Sequence, residues 1–193
     1  MAEAQDFYRD IKSRAAAAGR DPDTLLVFPG IVPIVAATGQ AAEQRLAEMN
    51  GFAIIEHVLA KLTEFLGEDF SDADLDAPLP PASSDHPNQS SQSRVGVLVG
   101  IARRVGLTLR QLLMRLAAGR GHLLAVGTGR DVAETMRHWF ENGAADGFNV
   151  MAPVMPADLQ SFIEHVMPLL FATLPSGGPR RTLHERYGLP QQN

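Results

Sequence analysis

Leu25-Leu26-Val27-Phe28-Pro29-Gly30-Ile31-Val32-Pro33-Ile34-Val35 sets the fold class. Apart from the glycine, every side chain in it is apolar, so buried and wet positions do not alternate. A strand with that pattern is covered on both faces, as strands of parallel sheets flanked by helices are. Pro29 and Pro33 have no N–H to give to a ladder. The regular strand is therefore expected to be short, about Leu25 to Phe28, with an irregular continuation.

On either side of this run, helices and strands alternate. Ala2 to Ala18 reads as a helix, because Phe7, Ile11 and Ala15 recur at fours with Ala4, Tyr8 and Ala18 beside them. Gly19 is its stop. Thr38 is a candidate cap for a helix over Gln40 to Met49. Helical character continues through Ile54 to Leu66, striped by Ile55, Val58, Leu59, Leu62 and Leu66. Gly67 to Gln92 is acidic and then rich in Pro, Ser, Asp and Asn, which reads as a long flexible excursion rather than a packed element. Helices are expected again at Arg94 to Val105 and from Thr108, another candidate cap, to about Ala118. His122 to Val126 is a short extended stretch and Gly127-Thr128-Gly129 a turn. Asp131 to Asn142 follows as an amphipathic helix with Val132, Met136, Trp139 and Phe140 on one side. Ala145 to Met151 is the second buried strand, and Leu159 to Leu170 the last helix. This alternation gives an α/β architecture. Two strands cannot make a sheet covered on both faces, so the chain reads as a slice of a larger α/β fold.

Composition narrows the function classes. The chain has 193 residues and a formal net charge of -5, which gives a phosphate backbone nothing to attract, so no nucleic-acid partner is expected. It has no cysteine, which removes disulfides, thiolate metal sites and cysteine nucleophiles and fits a reducing cytoplasm. No apolar run approaches the roughly 18 residues of a membrane span. Met1 to Arg14 carries charges throughout, unlike a signal peptide. A cytoplasmic protein without a membrane partner is expected.

Few residue patterns carry chemistry on their own. Gly127-Thr128-Gly129 entering a helix can hold a phosphate on free N–H groups. It reads more readily as a tight turn with a capped helix, and the dinucleotide fingerprint fails at Val132. Asp131 also places negative charge where a phosphate would sit. His122, flanked by Gly121 and an apolar run, is a candidate base, acid or polar anchor. His138 and His165 read as solvent-face or boundary residues on helices. Asn149, after Gly147-Phe148, reads either as the polar end of a strand facing a barrel mouth or as a cap of the turn before Pro153. The acids from Glu64 to Asp76 lack the spacing of a calcium loop, and no metal site is expected.

A longer series is more specific than any of these pieces. Phe7-Tyr8-Arg9-Asp10-Ile11-Lys12, Gly19-Arg20-Asp21-Pro22 and Leu25 to Ile31 come first. Gly119-Arg120-Gly121-His122, Val126-Gly127-Thr128, Asp131 to Met136, Trp139-Phe140 and Gly143-Ala144-Ala145-Asp146-Gly147-Phe148-Asn149-Val150 follow. Thr182-Leu183-His184-Glu185 and Gly188-Leu189-Pro190 close it. In that order the series resembles the C-terminal part of the luciferase-like flavin-dependent monooxygenases, in the branch of nitrilotriacetate monooxygenase component A and the dibenzothiophene-sulfone and long-chain alkane monooxygenases. The chain departs from the family at Gly129, where proline is usual, and it has no flavin-phosphate segment of the Gln-Ala-Gly-Ser type.

The resemblance implies the C-terminal portion of a TIM (β/α)8 barrel, incomplete here, with a largely helical insertion. Residues 1–37 would hold a helix and the penultimate strand, and 38–121 the helical and acidic insertion. Residues 122–170 would hold the last helix–strand–helix unit and 171–193 the tail. Leu25 to Phe28 and Gly147 to Val150 would be its last two strands. It further implies reduced FMN as cosubstrate, O2, a flavin reductase as partner and a small organic substrate. His122 would be catalytic, Asn149 and Phe148 would touch substrate, and Gly127 and Thr128 would lie on the cofactor side. The alternative is a non-catalytic remnant of such a barrel that self-associates through its uncovered apolar edges.

Overall fold

The computed structural model describes residues 1–51, 54–67, 69–70, 72–79, 94–119, 121–171 and 187. Helix α1 (Ala2–Ala17) ends where expected: Gly19 adopts φ +74°, and Arg20 N–H returns to Ala15 O at 2.9 Å. A one-turn 3-10 helix (Pro22–Thr24) leads to β1 (Gly30–Val35).

The first strand thus lies five residues beyond its expected start, and it runs through Pro33. Backbone parity explains why Pro33 is tolerated. Asn149 N donates to Pro29 O at 3.0 Å and Met151 N to Ile31 O at 2.9 Å, so the odd-numbered residues turn their backbone groups toward β3 (Asn149–Val150). Pro33 shares that parity but lies past the last of these bonds. Its missing N–H falls where β3 has already ended. Even-numbered groups face β2 (Leu123–Gly127) instead, as Ala36 N does in donating to Gly127 O at 3.1 Å.

The sheet is parallel, in the order β2-β1-β3, with Ile31 opposite Leu123 on one side and Val150 on the other. One further expectation is corrected here. Among the described residues there are three strands where two were expected, because Leu123 to Gly127 is a true strand. The two expected strands pair directly and in parallel, β3 taking the second edge of β1 and satisfying backbone groups that would otherwise lack partners.

Helices cover both faces. Ile31, Val35 and Ala125 on one face pack with Val132, Ala133 and Met136 of α6 (Gly129–Glu141) and Phe162 of α7 (Ala157–His165). Val32 and Ile34, on the other face, are also buried. There α2 (Gly39–Gly51) and α5 (Leu109–Gly119) meet the strands and each other, and Gly119 lies beside Leu124. Crossovers of one hand that run in opposite lateral directions must use opposite faces. The order β2-β1-β3 therefore requires this division of helices.

A second core lies apart from the sheet. Leu62 of α3 (Ile55–Leu66), Val99 and Ala102 of α4 (Arg94–Val105) and Leu109, Leu112, Leu113 and Leu116 of α5 pack together. Phe70, at 2% exposure, and Leu79, at 6%, join them. The described part of the acidic excursion is therefore packed, contrary to expectation. Phe70, Ala73, Leu75 and Leu79 supply apolar anchors between the acids, and Asp76 pairs with Arg110 at 2.7 Å. Residues 80–92 lie outside the described residues, as does most of the expected tail.

Two cap expectations hold. Thr38 Oγ accepts Ala41 N–H at 3.1 Å, and Thr108 Oγ accepts Gln111 N–H while Gln111 Oε returns to Thr108 N–H. The final helix is two: α7 stops at His165 and α8 (Met167–Phe171) follows. Pro168 lacks an N–H and crowds the carbonyl four residues back, which ends a continuous helix there.

Candidate functional site

In open α/β sheets the ligand crevice lies outside the carboxyl ends of the strands. That end here holds a cleft of about 450 Å³, lined by Ala36 and Ala37 after β1, Thr128, Gly129 and Arg130 after β2, and Ser161 and His165 of α7. The volume falls within the roughly 300–1,000 Å³ of small-molecule sites. Gly129 makes the close approach of α7 possible: a Cβ there would stand 2.3 Å from the backbone oxygen of His165.

The turn before α6 is committed to its own helix. Thr128 Oγ accepts Asp131 N–H at 3.3 Å, and the Asp131 carboxylate accepts both Thr128 N–H and the Thr128 hydroxyl at 2.8 Å. Gly127 leaves the necessary room, since a Cβ there would meet the Asp131 carboxylate at 2.8 Å. Bonds from the Thr128 backbone and hydroxyl hold the Asp131 carboxyl below the usual carboxylate range, with the Arg130 charge a smaller influence. The geometry thus shows a capped turn at Gly127-Thr128-Gly129, with the Thr128 N–H already turned to Asp131.

His122 and Asn149 lie at the other end of the strands. The register that sets Ile31 opposite Leu123 and Gly30 opposite Asn149 places His122, Gly30 and Asn149 in one row. Gly30 contributes no side chain to that row, and the His122 ring occupies the space: a Cβ on Gly30 would stand 2.3 Å from Nδ1. Asn149 Nδ2 donates to Phe28 O at 3.0 Å. Asn149 therefore opens its strand rather than ending it, because ladder pairing begins only at this residue. Phe148 packs into the sheet core with its ring 6.3 Å from that of Trp139. Six residue steps, from Gly30 to Ala36, separate this row from the cleft, roughly 20 Å. The structure thus brings His122 and Asn149 together, but not with Thr128.

Sequence reasoning missed two groups. Arg130, Ser161 and His165 converge on the cleft from two helices, and no local motif announces them. Asp146 is a hub: it accepts from Tyr8 Oη and Val27 N, each at 2.7 Å, and its carboxylate lies 3.3 Å from Lys12 Nζ. Lys12 also sits 5.0 Å over the Tyr8 ring. Burial first, then the bond to Asp146 and its charge, push the Tyr8 hydroxyl up to about 12. Among the described residues no group of three His, Asp or Glu side chains suits a metal ion, and no helix is long and apolar enough to cross a membrane.

No family model matches the chain. A component of pristinamycin IIA synthase from Streptomyces pristinaespiralis is 40% identical over 171 residues, 88% of this chain and 39% of that protein. N-acetyl-S-(2-succino)cysteine monooxygenase of Bacillus subtilis is 37% identical over 171 residues, 88% of this chain and 38% of that protein. Nitrilotriacetate monooxygenase component A of Aminobacter aminovorans is 37% identical over 172 residues, 88% of this chain and 37% of that protein. Among solved structures, DmoA of Hyphomicrobium sulfonivorans superposes with a TM-score of 0.73 at 26% identity, covering 95% of this chain and 38% of that one. Riboflavin lyase RcaE, solved with modified FMN and riboflavin, superposes with a TM-score of 0.70 at 27% identity, covering 96% and 40%.

The relatives named by their activity are monooxygenases, which are oxygen-transferring oxidoreductases. Among them, the chain matches the luciferase-like monooxygenase family over its C-terminal part. It spans about two fifths of the length of the relatives it matches.

Proposed function

We propose that this chain supplies the C-terminal part of an FMN-dependent monooxygenase that uses reduced flavin from a separate reductase, together with O2, on a small organic substrate. The observation that carries the reading is the match over 88% of the chain to proteins named as monooxygenases. A structural neighbour solved with modified FMN supports the flavin, and the name component A supports a second component. In the full family length the segment would belong to a (β/α)8 barrel, in the cytoplasm.

The cleft alone lacks the surroundings of a flavin ring. The cleft offers two alanines as apolar surface, with no aromatic side chain or long apolar slot for a tricyclic ring, and Thr128 N–H is turned to Asp131. Flavin binding is therefore assigned to the remainder of the family length, and the chain alone is expected to be inactive. The substrate-side roles of His122, Asn149 and Phe148 rest on the resemblance. Support from this chain is that His122 and Asn149 share one row across Gly30.

The test is a chimera in which this chain replaces the matching segment of nitrilotriacetate monooxygenase component A. A folded chimera is expected to oxygenate a small organic substrate with reduced FMN and O2. A folded, FMN-binding chimera that consumes reduced flavin without oxygenating any substrate contradicts the reading. A self-associating remnant is the second reading, favoured by the exposed Phe140, Ile163 and Phe171 on α6, α7 and α8. A monomer by sedimentation excludes it.

A further inference from the structure

We propose that the cleft at the carboxyl ends of β1 and β2 is a subsite for the carboxylate of a small molecule, held by Arg130, Ser161 and His165. Those three residues, which carry a guanidinium, a hydroxyl and an imidazole, line one cavity. None of their side chains is hydrogen-bonded to another described residue, whereas three carboxylates nearby are engaged. Asp131 is held by Thr128, Glu164 accepts from Gln160, and Asp158 is held by Arg45 and Val154 N–H. No carboxylate lines the cavity itself.

The lining therefore presents donors without fixed acceptors, which selects an anionic oxygen ligand. A guanidinium fork meets a planar carboxylate through two parallel bonds, and charge-assisted bonds of this kind are stronger than neutral ones. The donors invoked are side chains; at the start of α6 the Thr128 and Asp131 N–H groups are spent on the capping box. Ala36, Ala37 and the Cβ-free Gly129 leave the floor low enough for a short carbon chain.

The inference rests on the monooxygenase reading only in taking the carboxylate to belong to the substrate. Binding and oxygenation are measured separately, so each can fail without the other. The intact chain is titrated with succinate, and in a second arm with inorganic phosphate, by NMR chemical shifts. Saturable succinate binding at one per chain is expected, with shifts centred on residues 128–130 and 161–165. Arg130→Gln should weaken it about tenfold or more, Ser161→Ala and His165→Gln less, each with an unchanged circular dichroism spectrum. Arg14→Gln, on exposed α1, should leave it unchanged. Absent saturation, an equal loss in Arg14→Gln, or phosphate binding more tightly than succinate would overturn the proposal.

Discussion

The Nδ1 of His122 lies 2.3 Å from the point where a Cβ on Gly30 would stand, so the imidazole rests on bare backbone between β2 and β3. This contact fixes His122 in the row it shares with Asn149. Gly30→Ala forces the ring to move and should cost about 1–3 kcal/mol in urea unfolding, the range for overpacking. Introduced into His122→Ala, the same change should cost far less, because the two residues act through one contact. Equal costs in both backgrounds would show that the ring does not lie on Gly30.

Gly129 is held more rigidly, because its neighbour is the backbone oxygen of His165 at 2.3 Å rather than a side chain that can turn. Gly129→Ala should therefore push α7 off the start of α6 and lower stability by at least about 1–3 kcal/mol. Hydrogen exchange should quicken in α7 before the rest of the sheet. A neutral substitution would contradict this packing of α7.

Tyr8 gives a prediction about pH. Its hydroxyl, raised to about 12 by burial and then by Asp146, is held in the protonated form in the folded state. The stability from this bond is whole below the ordinary value of 10.0 and is lost as pH rises through about 12. The chain has two tyrosines, so Tyr187→Phe leaves Tyr8 alone to be followed by tyrosinate absorbance. A midpoint near 12 is expected, and Tyr8→Phe should flatten the stability loss in that window. A midpoint near 10 would contradict the bond to Asp146.

What the sequence made legible follows from locality. Helix periodicity, Gly19 and the Thr38 and Thr108 caps are decided within one or two turns of chain, and they were readable. Strand position was less so. Pro29 and Pro33 argued against a strand over Gly30 to Val35, but whether a missing N–H matters depends on where β3 stops, some 120 residues away. Phe70 and Leu79 were hidden for a related reason: their acidic neighbours set the local composition, while α3 and α5 decide their burial. The family was legible because its motifs survive in order. The convergence of Arg130, Ser161 and His165 was not, since it depends on α7 folding back over β1, and His165 read as a boundary residue.

Strand order is open to a direct test because the chain has no cysteine of its own. Ile31 and Val150 are register partners across β1 and β3. Adjacent strands lie about 4.8 Å apart, within reach of a disulfide. Ile31→Cys with Val150→Cys should cross-link on mild oxidation, as read by mass spectrometry. Leu123→Cys with Val150→Cys, in the same row, should not, since β1 stands between those strands. The reverse result would contradict the order β2-β1-β3.

On the proposed reading, flavin chemistry belongs to the family's full length, and this chain contributes only part of its site. The decisive experiment is equilibrium dialysis of the 193-residue chain against FMN, repeated anaerobically with reduced FMN. No saturable binding is expected in either state. Saturable binding near one FMN per chain would overturn the reading and make this chain a small flavoprotein in its own right.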